Sequence, residues 1–289
     1  MIVSKKPAIS VVIPLYNKEK VIARTVATVL NQSFDNFELV IVDDGSSDHS
    51  LEIVKKIEDN RIIIYEKENG GVSNARNYGV KRAKGEWIFL LDADDELYNN
   101  AFETLFNLVN KYEGKSVYIA NFCVSKGDRL DVYCKERSEG VFKYGTRVIW
   151  LNKVFSRTGN TLLNKNIFED IGYFREDLSY YEDMEFILKY AMQYEFVYSP
   201  IPIFVYKKNN SDLSVNSRDL DKEYAYHATF KNFNFYAKMI IGKIVFFSIQ
   251  NRFKNNNSKE AFSLLKKHFG GLFYIVFSVF YSKILKVDK

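Results

Sequence analysis

ELVIVDDGS at residues 38–46 and WIFLLDADD at residues 87–95 follow one pattern, a short apolar run that ends in an acidic cluster. Such runs, rich in β-branched and aromatic residues, are typical of buried parallel strands. Ligands of open α/β sheets bind at the carboxyl ends of the strands, so we expect both clusters to face one crevice. Because crowded carboxylates repel one another, a divalent cation or ligand N–H and hydroxyl donors would stabilise them. The two stretches predict a site for a sugar nucleotide and a metal.

Strand and helix patterns alternate between residue 8 and about residue 121. Apolar spacing predicts helices between successive strands, and Ser46 or Ser47 and then Ser73 are predicted helix N-caps. This rhythm predicts an α/β fold with a mostly parallel, Rossmann-like sheet and helices on both faces. The predicted strands are Ile9–Ile13, the run that ends at Asp43, Arg61–Tyr65, the run that ends at Asp92, and Val117–Ala120.

The rhythm breaks after Asn121, where short strand patterns alternate with loops. Pro200 and Pro202 separate two of these patterns, Phe196–Tyr198 and Ile203–Tyr206, and favour an edge position in the sheet. We therefore predict three parts. They are residues 1–121, a nucleotide-sugar-binding half; residues 122–215, the acceptor-binding half of the same domain; and residues 216–289, a helical C-terminal extension.

The C-terminal extension is basic and aromatic. From residue 227 onward the chain has 11 basic residues (Lys and Arg) and 2 acidic residues (Asp and Glu), a net charge of +9. Residues 1–226 have 30 basic and 34 acidic residues, a net charge of −4. Its apolar runs at residues 239–247 and 272–281 are shorter than the ~18–20 residues of a bilayer span. We expect this segment to lie on an anionic membrane surface, with ordinary helices packed on the main domain as the alternative. No nucleic-acid-binding module is recognisable, so nucleic acid is not an expected partner.

Missing motifs argue against several classes of protein. No G-x-G-x-x-G follows the first strand and no G-x-x-x-x-G-K-[ST] occurs, which disfavours a dinucleotide dehydrogenase and a P-loop enzyme. Cys123, Cys134 and three histidines are too few for a zinc cluster, and the cysteines fit a reducing cytosol. The first residues lack the pattern of a signal peptide. We expect a cytoplasmic protein, peripheral on the inner face of the cell membrane.

Two turns have residues suited to a nucleobase. Pro14-Leu15-Tyr16-Asn17 follows the first strand, where an aromatic ring can stack on a base and Asn17 can hydrogen-bond it. Asp43 and Asp44 end the second strand, and Asp44 can accept from the N–H of a pyrimidine. Each of these turns alone is also ordinary loop chemistry.

A glycine pair opens a helix further along the chain. In Asn69-Gly70-Gly71 the glycines let backbone approach a ligand, and the helix that follows offers N–H groups and a positive dipole end. Arg76, about one turn into that helix, can reach a diphosphate or the base. A surface salt bridge is the alternative for this arginine.

Asp92-Ala93-Asp94 has the alternation that puts Asp92 and Asp94 on one side of an extended strand end. Mg²⁺ or Mn²⁺ prefers oxygen ligands, and often binds one or two carboxylates together with substrate phosphates. Such an ion would neutralise charge on a departing diphosphate. The alternative is an acidic turn that caps the helix near Ala101.

Glu182-Asp183 lies at the start of a helix predicted over Met184–Met192. A transferase needs a general base that deprotonates an acceptor hydroxyl as it attacks the anomeric carbon. The alternative is that these acids only favour the helix dipole. The spacing does not decide between the two.

These five segments, in this order between Ile9 and Tyr206, resemble those of family 2 glycosyltransferases, inverting enzymes of the GT-A fold. The resemblance implies the following roles: Pro14, Tyr16 and Asp44 at the nucleobase, Asp92 at the ribose, Asp94 on the metal, Asp183 as the base and Glu182 beside it at the acceptor. It includes the neighbouring donor-site residues Asn17, Asp43, Asn69, Arg76 and Ala93. One departure is that such enzymes often carry a His after the last strand, near the diphosphate, where Tyr206-Lys207-Lys208 has none.

We therefore expect an inverting glycosyltransferase that uses a UDP-sugar and Mn²⁺ or Mg²⁺. The expected acceptor is a hydroxyl of a saccharide, lipid-linked in cell-surface polysaccharide synthesis, and a homo-oligomer is left open. A non-catalytic sugar-nucleotide-binding subunit is the first alternative. A nucleotidyltransferase is another, although it would normally have a Gly-rich basic loop near the N-terminus.

Overall fold

The computed structural model describes residues 6–126, 129–207 and 219–284, which form one ten-stranded sheet and eleven α-helices. The strands are β1 (Ile9–Leu15), β2 (Phe37–Asp43), β3 (Ile62–Glu66), β4 (Trp87–Leu90), β5 (Glu96–Leu97), β6 (Val117–Lys126), β7 (Arg129–Val132), β8 (Gly140–Phe142), β9 (Thr161–Asn164) and β10 (Phe196–Lys207). The helices are α1 (Ile22–Leu30), α2 (Ser50–Lys55), α3 (Val72–Arg82), α4 (Ala101–Lys111), α5 (Gly145–Trp150), α6 (Asn166–Ile171), α7 (Glu182–Gln193), α8 (Tyr224–His227), α9 (Phe235–Lys254), α10 (Ser258–Lys267) and α11 (Leu272–Ile284).

The sheet has the strand order β3-β2-β1-β4-β9-β6-β10-β5, with β7 on β6 and β8 on β10. The first four strands are parallel, and β9 is antiparallel to both of its neighbours. The α/β fold class is therefore confirmed, with the parallel pairs concentrated in the first half of the chain. All seven residues of β2 are buried, as expected for a central strand with both sheet faces covered.

The register of the central strands aligns their carboxyl ends. Leu15 at the end of β1 lies opposite Asp43 at the end of β2. On the other side of β1, Val12 lies opposite Leu90, the last residue of β4. Because the strands are parallel, the loops that follow all three leave from one edge of the sheet.

Two predicted helix N-caps are wrong. Helix α2 begins only at Ser50, because Ser46 and Ser47 are used by a loop contact with Asn17. Helix α3 begins at Val72 after Gly71, whose φ of 87° favours glycine, so Ser73 lies inside the helix.

The edge position predicted from the prolines is also wrong. β10 is one strand, paired with β6 along one side and with β8 and β5 at the two ends of the other. Pro200 and Pro202 lie between those two short partners, where the register with β6 shifts. A bulge of this kind accommodates proline because the ladder is already interrupted.

The C-terminal helices pack on the sheet domain and on each other. Helix α9 contacts α5, α10 and α11, and buries Met239, Ile241 and Val245. Among the described residues, no helix has both the length and the apolar character required to cross a membrane. The predicted boundary after residue 121 falls inside β6, and the one after residue 215 lies outside the described residues. The three-part division stays a prediction.

Candidate active site

A cavity of about 540 Å³ lies at the carboxyl ends of β1, β2 and β4. Its other walls come from the start of α3 and from residues 176–180 ahead of α7. The size is that of a small-molecule site. The structure brings together here eight of the predicted residues: Pro14, Tyr16, Asp44, Asn69, Arg76, Asp92, Ala93 and Asp94.

Asp44 is buried on the β2 side of the cavity and holds the neighbouring loop by hydrogen bonds. Its two carboxylate oxygens accept hydrogen bonds from the N–H groups of Gly70 at 3.0 Å and Gly71 at 2.8 Å. The Nζ of Lys67 lies 2.5 Å from the same carboxylate, and Asn69 donates to the Asp44 carbonyl oxygen at 2.8 Å. These contacts hold the glycine loop against the end of β2, which shapes the cavity before any ligand enters.

Asn17 and Asp43 are not brought to the cavity. The side-chain oxygen of Asn17 accepts from the N–H of Ser47 at 2.8 Å, and the residue has a φ of 50°. Asp43 accepts from the N–H of Ser46 at 3.2 Å. Both side chains brace the loop after β2, which is the ordinary turn chemistry of Asn and Asp.

Arg76 joins the two sides of the site. Its guanidinium donates to Asp92 at 2.7 Å and to Glu182 at 3.1 Å, and is almost fully buried. Burial alone would lower the pKa of Arg76, but the charges of Asp92 and Glu182 raise it above its usual range. For Asp92, burial opposes ionisation, yet Arg76 lowers its pKa. Burial raises the pKa of Glu182, and the neighbouring Asp183 adds to that shift.

The acidic segment after β4 is a turn. The N–H of Asp95 donates to the Asp92 carbonyl oxygen at 3.1 Å, so the extended alternation expected for Asp92 and Asp94 is wrong. The turn nevertheless presents both residues to the cavity. Asp95 points into the protein, where burial, followed by the charge of Asp92, raises its pKa to about 8. The helix-cap alternative is also wrong, because α4 begins at Ala101 after Asn100.

Asp94 is the acid best suited to a cation. Its carboxylate is partly exposed in the cavity and pairs with the Nζ of Lys18 at 2.6 Å, whereas Asp92 is engaged by Arg76 and Thr158. Within the described parts of the chain, no group of three or more His, Cys, Asp or Glu could hold a metal ion. One accessible carboxylate fits Mg²⁺ or Mn²⁺ only where a diphosphate and water supply the other oxygens.

Asp183 lies beside the main cavity. It lines a second, small cavity of about 20 Å³ together with Thr158 and Tyr190. Arg157 lines both cavities and stacks its guanidinium 3.8 Å from the ring centroid of Tyr206. Arg157 is therefore a residue that the two cavities share. Glu182 contacts the lining of the main cavity through Arg76.

The family model for Glycosyl transferase family 2 matches residues 10–172, which is more than half of the chain. The chain belongs to glycosyltransferase family 2. The match covers β1 to the end of α6 and includes every predicted donor-site residue. It ends before Glu182 and Asp183.

Curated relatives agree with this family membership. Over 117 residues the chain is 41% identical to glycosyltransferase GlyG of Streptococcus pneumoniae serotype 4, covering 39% of this chain and 38% of GlyG. Over 187 residues it is 32% identical to an uncharacterized glycosyltransferase of Rickettsia typhi. That alignment covers 64% of this chain and 58% of the relative. Over 116 residues it is 37% identical to the minor teichoic acid biosynthesis protein GgaB of Bacillus subtilis. That alignment covers 38% of this chain and 13% of GgaB. The alignments thus span less than two thirds of each relative's own length.

Solved structures of TarS from S. aureus confirm the fold. TarS 1–349 of S. aureus, solved in complex with UDP-GlcNAc, superimposes with a TM-score of 0.65 at 21% identity. The match covers 91% of this chain and 72% of that one. The complex of TarS 1–349 with UDP gives a TM-score of 0.60 at 20% identity.

Three cations of this family 2 site were not predicted. Lys18 reaches Asp94, Lys67 reaches Asp44, and Arg157 lines both cavities. No motif marks them, because lysine and arginine in loops are common and only tertiary contacts select these three. The usable signal was indirect: a crevice with several buried carboxylates requires nearby cations.

Proposed function

We propose that this family 2 glycosyltransferase transfers a sugar from a UDP-sugar to a hydroxyl group of a saccharide acceptor. The observation that carries the proposal is the cavity at the aligned strand ends, which Asp44, Arg76 and the Asp92–Asp94 turn line together. The TarS complexes with UDP-GlcNAc and UDP support a uridine nucleotide as the donor.

In the donor complex the base stacks on Tyr16, which is 49% exposed at the cavity mouth beside Pro14. Asp44 accepts the base N–H once Lys67 turns from its carboxylate to the phosphates. Asp92 accepts from the ribose hydroxyls while it keeps its ion pair with Arg76. A uracil matches these contacts because its ring N–H is a donor and its carbonyls accept.

Asp94 is the residue that would hold Mn²⁺ or Mg²⁺ with the diphosphate. A bound ion supplies Lewis-acid stabilisation of the departing diphosphate. Lys18, which neutralises Asp94 in the free protein, lies close enough to contribute a further positive charge to the same phosphates.

Asp183 is the proposed general base. It takes the proton of the acceptor hydroxyl as that oxygen attacks the anomeric carbon, while the bond from this carbon to the diphosphate oxygen breaks. Attack opposite the leaving group inverts the anomeric centre. Arg157 lines both cavities, so a movement of its side chain would join the cavity of Asp183 to the donor cavity when the acceptor enters. Glu182, next to Asp183, would contact the acceptor.

The acceptor that we propose is a lipid-linked saccharide of cell-surface polysaccharide synthesis, at the cytoplasmic face of the cell membrane. The similarity to the minor teichoic acid biosynthesis protein GgaB supports a surface polymer. The basic and aromatic C-terminal helices support an acceptor held at a lipid surface.

The first test is UDP release from a panel of UDP-sugars, with Mn²⁺ and with EDTA, in the presence of membrane extract as an acceptor source. We expect metal-dependent release from one donor, and a loss of ~10²-fold or more in Asp183→Asn, since general-base catalysis contributes about that factor. Asp170→Asn, a surface change on α6, is the matched control and should keep full release. Normal turnover in Asp183→Asn would exclude Asp183 as the base.

A non-catalytic sugar-nucleotide-binding subunit is the alternative favoured by one observation, the separation of Asp183 from the donor cavity. It predicts UDP-sugar binding by calorimetry without UDP release from any donor. UDP release that depends on Asp183 excludes it.

A further inference from the structure

The C-terminal helices expose a row of large apolar side chains. Phe273, Val276 and Phe280 of α11 are 61%, 64% and 61% exposed. Phe269, one turn before Phe273, is 73% exposed, and Phe262 on α10 is 62% exposed. The Phe262 ring packs on Phe253 of α9, 5.6 Å between centroids. We call Phe269, Phe273, Val276 and Phe280 the aromatic face.

The aromatic face is the outer side of a helix whose inner side is already packed. Ile275 and Ser278 of α11 are buried, and α11 lies close against α9, where a Cβ on Gly242 would meet the Tyr274 carbonyl oxygen at 2.5 Å. The spacing of exposed residues at 273, 276 and 280 is that of one helix face. A helix that only covered the core would carry polar side chains there, so this face is built to contact something apolar.

The segment that carries the aromatic face is strongly basic. Lys266 and Lys267, exposed at the end of α10, lie in sequence between Phe262 and Phe269. Residues 227–289 have a net charge of +9. Glu260, the only acid among the described residues of this region, pairs with Arg252. A second copy of the chain would bring the same positive charge to the contact, whereas an anionic lipid surface would neutralise it.

We propose that the aromatic face inserts into the headgroup region of an anionic membrane, with Lys266 on the lipid phosphates. Lys267, whose Nζ lies 3.3 Å from the centroid of the Tyr226 ring, leaves this ring to join Lys266 there. At 13 residues α11 is too short to cross a bilayer, so it lies along the surface. The proposal names the docking residues and the lipid charge, and it does not depend on sugar transfer, because vesicle binding needs no substrate.

Helix α9, against which α11 packs, is tied to the wall of the candidate active site. The buried Arg252 of α9 pairs with Glu223 at 2.6 Å, and the Glu223 backbone bridges to Tyr180, which lines the donor cavity. A docked membrane therefore has a fixed orientation relative to the cavity.

The test is co-sedimentation of the full chain with vesicles of phosphatidylcholine alone, or of phosphatidylcholine and phosphatidylglycerol in equal parts. We expect binding to the anionic vesicles, a loss of ~10-fold or more in Phe273→Ser/Phe280→Ser, and wild-type binding in the exposed control Ile201→Ser. Lys266→Gln/Lys267→Gln should lose ~10-fold on anionic vesicles only, unlike Lys55→Gln/Lys56→Gln, an exposed lysine pair at the end of α2.

Two results would overturn the proposal. One is equal vesicle binding by the wild type and the Phe273→Ser/Phe280→Ser variant, with circular dichroism verifying that both are folded. The other is a wild-type dimer in sedimentation velocity that this variant converts to a monomer, without vesicle binding by either protein. The second result would assign the aromatic face to a second copy of the chain.

Discussion

Arg76 is the residue through which the two sides of the candidate active site meet. It bridges Asp92, just after β4, and Glu182, the first residue of α7, and these three groups are largely removed from water. Desolvation of such charges is costly, and the pairing offsets that cost only while all members are present. The arginine therefore stabilises the fold as well as the site.

Replacement of Arg76 by Met should leave two partly buried carboxylates without their cation. We expect a loss of about 3–5 kcal/mol in the free energy of unfolding, measured by urea denaturation. Arg82→Met, at the exposed end of the same helix, is the control and should cost at most about 1 kcal/mol. Equal losses in the two variants would contradict a special role for the buried bridge.

Asp94 provides the accessible carboxylate for a cation. In Asp94→Asn we expect ~10-fold weaker UDP binding in the presence of Mn²⁺ and little change with EDTA, measured by calorimetry, because only the metal-assisted part of binding is removed. Asp170→Asn should match the wild type in both conditions. Metal dependence that persists unchanged in Asp94→Asn would rule out this residue as the ligand.

At the residue scale, the acids could be predicted and their partners could not. Asp44, Asp92 and Asp94 follow from strand ends, because parallel register alone brings them to one edge. Lys18 and Arg157 depend on how loops fold back, which no local pattern encodes. Asn17 was predicted to contact a nucleobase, but its side chain accepts a hydrogen bond from the loop after β2. Local sequence does not distinguish these two uses of an asparagine.

At the scale of elements, strong periodicity predicted helices and strands well. The helix expected near Ala101 is α4, which begins at that residue, and the strands of the first half lie close to where they are expected. The errors arise where tertiary contacts replace local ones. Serines near α2 and α3 are not caps, and β10 accommodates two prolines because its partners are short.

The packing of α9 on α11 depends on Gly242. A Cβ there would lie 2.5 Å from backbone of α11, which cannot move as a flexible side chain can. We expect Gly242→Ala to destabilise the protein by about 1–3 kcal/mol in urea denaturation, despite the better helix propensity of Ala. Gly270→Ala, where a Cβ meets nothing within 4 Å, is the matched control and should be nearly neutral. Equal stability of the two variants would mean that the helices tolerate separation.

At the scale of the whole molecule, two buried contacts attach α9 and the end of α10 to the segment of α8, and the Glu223 backbone bridges this segment to Tyr180. Arg252 pairs with Glu223, and His268 donates from Nε2 to the Ala225 carbonyl oxygen at 2.8 Å. Both contacts lie in the protein interior, because Glu223 and His268 are buried. The C-terminal helices are thus part of the folded unit.

His268 makes stability depend on pH. Burial lowers its pKa, the hydrogen bond to Ala225 partly offsets this, and the charge of Lys267 lowers it further. The unfolded chain, with a His pKa of about 6.5, therefore binds this proton more readily than the folded one. The contribution of His268 to the free energy of unfolding is complete above the unfolded-state pKa of about 6.5. It is lost as the pH falls from this value toward the folded-state pKa. Urea denaturation between pH 8 and pH 5 should show a steeper decline in the free energy of unfolding for the wild type than for His268→Gln. Parallel declines in the two proteins would contradict this role of His268.

The two-residue strand β5 completes the site with a partner from a distant part of the chain. It begins directly after the Asp92–Asp95 turn and pairs with β10, more than a hundred residues later in the chain. During synthesis, β1 to β4 and α1 emerge first, and α1 can already hold β5 through the Thr28 hydroxyl, which accepts from the Leu97 N–H at 3.2 Å. The strand partner of β5 arrives only with β10, and contacts so distant in sequence form later than local ones. We therefore expect a nascent or truncated chain without β10, its parallel strands already formed, to bind the nucleotide more weakly than the full chain.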